Sequence, residues 1–210
     1  MESKRANPGT PRLILASGST ARLGLLRGAG LDVVSCPVAL DESVLRDRMR
    51  AENAGQNAIA LALANAKALE FSTNPQFMSA DFVIAADQIL ECDGVGFDKP
   101  ENRQAVREQL ITLRGRTHRL QTAVVLYKGG EKLWEHLATP ELTMRDFSDG
   151  FLEAYMEAEG DVLLSCVGAY RLEGPGVQLF STIRGDHDAI LGLPLLPLLA
   201  VLRDFGIAKK

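Results

Sequence analysis

The sequence predicts an α/β fold: a mixed, central β-sheet flanked by helices, with a ligand crevice. Short apolar runs of strand length alternate with helical patterns along the whole chain instead of segregating into blocks. Charged residues recur at strand ends, short loops and helix starts, where an α/β sheet opens its crevice. With 46% hydrophobic and 24% charged residues, a chain of 210 residues can bury a sizeable core, which excludes disorder and coiled coil as overall descriptions. At roughly 150 residues per domain, one large domain or two intimate lobes fit. No composition break divides the chain, so it reads as one domain, residues 13–210, behind a polar tail of residues 1–12.

Residues 13–16 are a short apolar run ending in Ser17-Gly18-Ser19-Thr20, small capping residues that open a helical pattern stopping at Gly28 and Gly30. A second strand over 32–36 leads into a loop over 37–43, where Asp41 and Glu42 precede another helix start. Residues 59–71, IALALANAKALEF, are rich in alanine and leucine and read as helix despite local alternation. FVIAA, residues 82–86, reads as a buried strand terminated by Asp87-Gln88. A loop over 94–100 then runs through Pro100 into a helix over 101–113. Strands over 119–127 and 132–143 form a hairpin around Gly129-Gly130. Ser148 caps a helix over 149–159, residues 168–180 alternate in strand fashion around Gly174 and Gly176, and the last helix starts near Leu193-Pro194.

Twenty-three Lys plus Arg against twenty-seven Asp plus Glu leave a charge of −4 and a pI near 5.5, so no overall positive field suits a polynucleotide partner. Cys36, Cys92 and Cys166 are odd in number and widely spaced, which fits neither a disulfide framework nor a zinc site and suits a reducing cytoplasm. The N-terminus MESKRANPGTPR has no apolar signal-peptide stretch. The most apolar segment, 189–202, is too short to span a membrane and reads as a buried C-terminal helix. His118, His136 and His187 stand apart, and His187 between Asp186 and Asp188 reads as a polar loop. Dinucleotide and P-loop glycine patterns are missing, as is a nucleophile elbow around Ser17 or Ser19.

Five places remain where chemistry fits, each with a structural alternative. The turn from Ser17 to Arg22 joins hydroxyls, backbone N–H groups and a guanidinium at a helix N-terminus, which suits a phosphate or simply caps a helix. Asp41 and Glu42 fit a divalent cation or an acidic helix start. Lys67 has Leu63, Ala64, Glu70 and Phe71 at helical spacing, so it enters a crevice or snorkels and pairs with Glu70. Asp87 caps a turn or serves as metal ligand or general base. Lys99 stands before Pro100 at a helix start, where a cation opposes the helix dipole unless an anion joins it.

The ordered set LILASGSTARLGLL, Asp41-Glu42-Ser43, ALANAKA, VIAADQ, DKP, LRGRTH, VGAYRLEGPG and GDHDAILGLPL resembles the Maf family of nucleoside triphosphate pyrophosphatases over residues 13–206. The resemblance implies a Maf/ITPase-like sheet and hydrolysis of a nucleoside triphosphate between its α and β phosphates, giving a monophosphate and pyrophosphate with Mg²⁺, Mn²⁺ or Co²⁺. It implies that Asp87 is the proton acceptor and that Arg22, Glu42, Lys67 and Lys99 are the other charged positions, with Ser17 and Ser19 on the substrate-side turn. Two lysines and an arginine would neutralise the triphosphate, while Asp87 and Glu42 would hold the metal and orient water. The family is also described as a septum-formation inhibitor, so a nucleotide-responsive regulator of cell division that needs no turnover is the rival reading. A homodimer is common in the family, and no stripe in this sequence marks an interface.

The usual Ser-x-Ser-Pro-Arg-Arg turn is here Ser17-Gly18-Ser19-Thr20-Ala21-Arg22, which keeps only the second arginine. The family's specificity positions fall on Ala21, Gln88 and Glu173. The branch acting on dTTP and UTP carries Arg, Thr and Gln there, whereas the 7-methyl-GTP branch carries Gln and Glu at the last two. Gln88 and Glu173, with Ser165-Cys166 in place of Asp-Lys, therefore point toward 7-methyl-GTP rather than dTTP, UTP or modified pyrimidine nucleotides. A carboxylate accepts both N–H donors of a guanine edge, whereas a uracil or thymine edge offers one. Ala21 lacks the bulk expected beside a methylated base.

Overall fold

A computed structural model describes residues 12–74, 79 and 81–209; the polar tail through residue 11 and Lys210 lie outside the described residues. Its mixed sheet contains β1 (Leu13–Leu15), β2 (Val33–Ser35), β3 (Phe82–Cys92), β4 (Val95–Phe97), β5 (Thr117–Lys128), β6 (Glu131–Ala138), β7 (Glu141–Met144) and β8 (Phe180–Arg184). The strand order is β2-β1-β3-β5-β7-β8, with β4 on β3 and β6 on β5. β1 runs parallel to β2 and β3, and the other pairs are antiparallel. The helices are α1 (Thr20–Gly28), α2 (Glu42–Ala51), α3 (Gln56–Ser72), α4 (Arg103–Leu113), α5 (Asp149–Glu159), α6 (His187–Ile190) and α7 (Leu195–Asp204).

The chain leaves β1 for β2 on one side and returns through α2 and α3 to β3 on the other, so the winding reverses at the end of β1. Such a reversal opens a crevice. β5 lines one edge of β3 from Phe82 to Glu91. The opposite edge is shared: β1 covers Phe82 to Ile84, and β4 covers Leu90 to Cys92. Residues 85–89 face a gap between them, and the charged cluster described below gathers at this gap.

Alternation along β3 sends successive side chains to opposite faces. Val83, Ala85 and Ile89 pack with Ala123, Val125 and Tyr127 under the apolar side of α3. Phe82, Ile84 and Ala86 pack on the other face with Val124 and Leu126, beneath Leu26 of α1 and Leu198 and Leu202 of α7. A third core joins α4, α5 and β7 around Leu110, Leu142, Phe147 and Leu152.

Five expectations require correction. Asp87 and Gln88 do not end the strand; β3 continues to Cys92 because both polar side chains find partners within the fold. The loop expected over 94–100 contains β4, which turns back on β3. The strand expected over 132–143 is two strands, β6 and β7, paired with different parts of β5. Residues 168–180 form mainly 3₁₀ turns, Val167–Ala169 and Pro175–Leu179, and strand begins only at Phe180. The C-terminal apolar segment also breaks: His187 opens the short α6 rather than lying in a loop, and α7 starts at Leu195.

Candidate active site

The cluster begins with Arg22. Ser19 caps α1, its Oγ accepting from the Arg22 N–H at 3.3 Å, and Ser17 Oγ accepts the Ser19 N–H at 3.2 Å. The capping alternative thus holds for Ser19, and the cap aims the arginine. Arg22 donates through Nη1 to the Ala86 carbonyl at 2.8 Å and through Nε to the Gly192 carbonyl at 2.8 Å. The first of these satisfies a backbone acceptor inside the gap beside β3. Gly192 has φ of +101°, and a Cβ there would stand 3.1 Å from Arg22 Nε, so glycine is required for this approach.

Asp87 and Lys67 meet across the α3 face. Lys67 Nζ lies 2.6 Å from Asp87 Oδ1 and 3.0 Å from Glu42 Oε1, and both Lys67 and Asp87 are buried. Lys67 therefore enters the crevice rather than pairing with Glu70. Asp41 and Glu42 diverge: the Asp41 carboxylate caps α2 by accepting from Ser43 N at 3.1 Å, while Glu42 turns inward to Lys67. Burial pushes the Asp87 carboxyl above the usual carboxylate range, Lys67 and then Arg22 pull it back, and Glu42 adds to the upward push. Burial lowers the Arg22 guanidinium pKa from its ordinary value, and Asp87 and Glu42 oppose that shift. Four of the expected residues, Arg22, Glu42, Lys67 and Asp87, thus form one electrostatic unit.

Gln88, next in sequence to Asp87, projects to the opposite sheet face. Its Nε2 donates to Thr122 Oγ1 at 2.8 Å, to the Ala189 carbonyl at 3.0 Å and to the Ile190 carbonyl at 3.2 Å. Two of these partners are backbone carbonyls, which only accept, so the amide orientation is dictated by its surroundings. The donors are engaged, and the Gln88 carbonyl is the remaining acceptor. Thr122, which no sequence signal singled out, also donates to the Ala189 carbonyl at 3.0 Å. Ala21 and Glu173 line a common pocket of about 450 Å³ with Gly24, Leu25, Leu191 and Leu195.

Lys99 is exposed and makes no hydrogen bond or ion pair among the described residues. Its charge, with those of Glu173 and Arg171, acts on the Cys166 thiol, whose pKa burial raises. Lys99 is thus not bonded to the Asp87 cluster. Its neighbour Asp98 is joined to that cluster through Arg46, a residue the sequence reading missed although Glu42 and Arg46 stand at helical i,i+4 spacing. A larger pocket of about 950 Å³, lined by Arg50, Gln56, Glu91, Arg119 and Gln121 among others, contains none of the expected residues.

The acidic donors are carboxylate oxygens, a chemistry suited to Mg²⁺ or Mn²⁺. Among the described residues no three His, Cys, Asp or Glu side chains converge as a cage. Asp87 and Glu42, which share one ammonium, fit the common arrangement in which one or two carboxylates hold the cation together with substrate phosphates.

Residues 12–205 match the family described as Maf-like protein. A nucleoside triphosphate pyrophosphatase of Gluconobacter oxydans (strain 621H) is 58% identical over 195 residues, covering 93% of this chain and 95% of the relative. One from Granulibacter bethesdensis is 50% identical over 192 residues, covering 91% and 96%. A 7-methyl-GTP pyrophosphatase of Brucella abortus biovar 1 (strain 9-941) is 43% identical over 195 residues, covering 92% and 96%. An α/β sheet with a charged crevice at its switch point thus defines the class, and the chain belongs to the Maf family. Among the described residues no helix is long and apolar enough to cross a membrane.

Proposed function

We propose that the protein is a nucleoside triphosphate pyrophosphatase that cleaves between the α and β phosphates of a guanine-type nucleotide such as 7-methyl-GTP. The observation that carries the reading is the buried Lys67–Asp87 pair, shared with Glu42 and flanked by Arg22 in the gap beside β3. Asp87, with its pKa raised by burial, accepts a proton from the attacking water. Lys67 holds that carboxylate and, with Arg22 and Lys99, offsets charge developing on the phosphates. Asp87 and Glu42 would hold Mg²⁺, Mn²⁺ or Co²⁺, which supplies polarisation of phosphoryl oxygens when bound. The enzyme names of the similar proteins favour turnover over a purely regulatory role in division.

The substrate class rests on the base side. Gln88 and Glu173 both offer acceptors, complementary to the N–H donors of a guanine edge. The small residues Ala21 and Gly24 leave room in the pocket that Glu173 lines. The test is a panel of 7-methyl-GTP, GTP, UTP, dTTP and CTP with Mg²⁺, Mn²⁺ and Co²⁺, separating pyrophosphate from orthophosphate as product. Pyrophosphate release with 7-methyl-GTP preferred is the expected result. A pyrimidine preference overturns the base reading, and orthophosphate as first product overturns the cleavage site.

A further inference from the structure

We propose that Asp98, Arg46 and Arg50 are positioning residues that set Lys99 for its phosphate contact, making the Lys99 loop and the Asp87 cluster one mechanical unit through α2. The proposal rests on the reading of Lys99 as a phosphate ligand. A line of alternating charges runs from Asp87 to Lys67, Glu42, Arg46, Asp98 and Arg50. Its links are 2.6 Å for Asp87–Lys67, 3.0 Å for Lys67–Glu42, 3.9 Å for Glu42–Arg46 and 2.8 Å for Arg46–Asp98. Arg50 closes it with a two-pronged grip on Asp98 at 2.8 and 3.1 Å. Glu42, Arg46 and Arg50 all stand on α2, so one rigid helix spaces the carboxylate at Lys67 from the clamp on Asp98.

The backbone of the same residue is fixed as well. Gln109 of α4 donates through Nε2 to the Asp98 carbonyl at 2.8 Å, the oxygen of the peptide bond that leads into Lys99. On the other side Pro100 is buried and fixes its own φ. Lys99 is exposed and bonded to nothing among the described residues, so its position is inherited from these two neighbours. The Asp98 side chain is 45% exposed, and ion pairs of that kind contribute little to stability. A two-pronged arginine grip contributes orientation instead.

The test is a double-mutant cycle on pyrophosphate release with the full chain: wild type, Asp98→Asn, Lys99→Ala and the double variant, repeated with Arg50→Met in place of Asp98→Asn. Thermal melting is recorded for each. Lys99→Ala is expected to lower kcat about 10²-fold and each positioning variant about 10-fold. In the Lys99→Ala background neither positioning variant costs more than about twofold, because the residue they serve is gone. An equal cost in both backgrounds overturns the positioning role and leaves Lys99 as a phosphate contact. Full activity of Lys99→Ala overturns the Lys99 reading and the proposal with it. A loss that tracks melting temperature in both backgrounds identifies a structural role and also overturns it.

Discussion

Asp87 is a buried carboxylate whose charge is opposed by burial and by Glu42 and supported by Lys67 and Arg22. Replacing it with asparagine keeps the shape and removes the proposed base, so Asp87→Asn is expected to lower turnover about 10²-fold or more while the melting curve is retained. Lys67→Met removes the main counter-charge; the Asp87 pKa then rises further, and the acid limb of the pH–rate profile moves to higher pH. A second buried titratable group, His118, governs stability rather than chemistry. Its Nε2 lies 2.8 Å from Tyr170 Oη, its Nδ1 has no partner among the described residues, and burial lowers its pKa from 6.5 to about 4. The unfolded chain therefore binds more protons than the native protein between these two values. Stability is fully present above pH 6.5 and is lost as pH falls toward about 4, by about 3 kcal/mol for a shift of this size. Urea denaturation across that range, in wild type and His118→Asn, checks this: the variant loses the pH dependence between 6.5 and 4.

At the scale of elements, turns anchored by side chains differ most from the expected strands. Residues 168–180 alternate in sequence, yet the His118–Tyr170 hydrogen bond and the Glu159–Arg171 ion pair fold them into turns. Gly168, with φ of +76°, lies where a Cβ would stand 2.4 Å from Leu90 Cδ1. Gly168→Ala is expected to cost about 2 kcal/mol or more, measured by denaturant unfolding. Alternation could not reveal this because the deciding contacts are distant in sequence. The same holds for β3, where Asp87-Gln88 resembles a strand terminus until Lys67, twenty residues earlier, supplies the counter-charge. Caps were legible: Ser148 caps α5 through Phe151 N, as local chemistry dictates.

At the scale of the molecule, the mixed α/β class and the crevice position followed from interleaved elements and from charges at their ends. The bonds that assemble the site did not. Arg22 reaches Ala86 and Gly192 across sequence separations of 64 and 170 residues, and Asp98 is gripped from a helix that begins at Glu42. The proposed base reading also belongs to this scale, because Ala21 and Glu173, far apart in sequence, line one pocket. Glu173→Gln is expected to shift preference away from guanine nucleotides, and an unchanged substrate ranking would remove Glu173 from base reading. The central claim, that Asp87 is the base of the reaction, is tested most directly by the pH–rate profile of pyrophosphate release for wild type and Asp87→Asn. Activity of the wild type falls as pH drops through a group titrating above the usual carboxylate range, and that limb is absent from the residual activity of the variant. The same limb in both proteins would contradict the account.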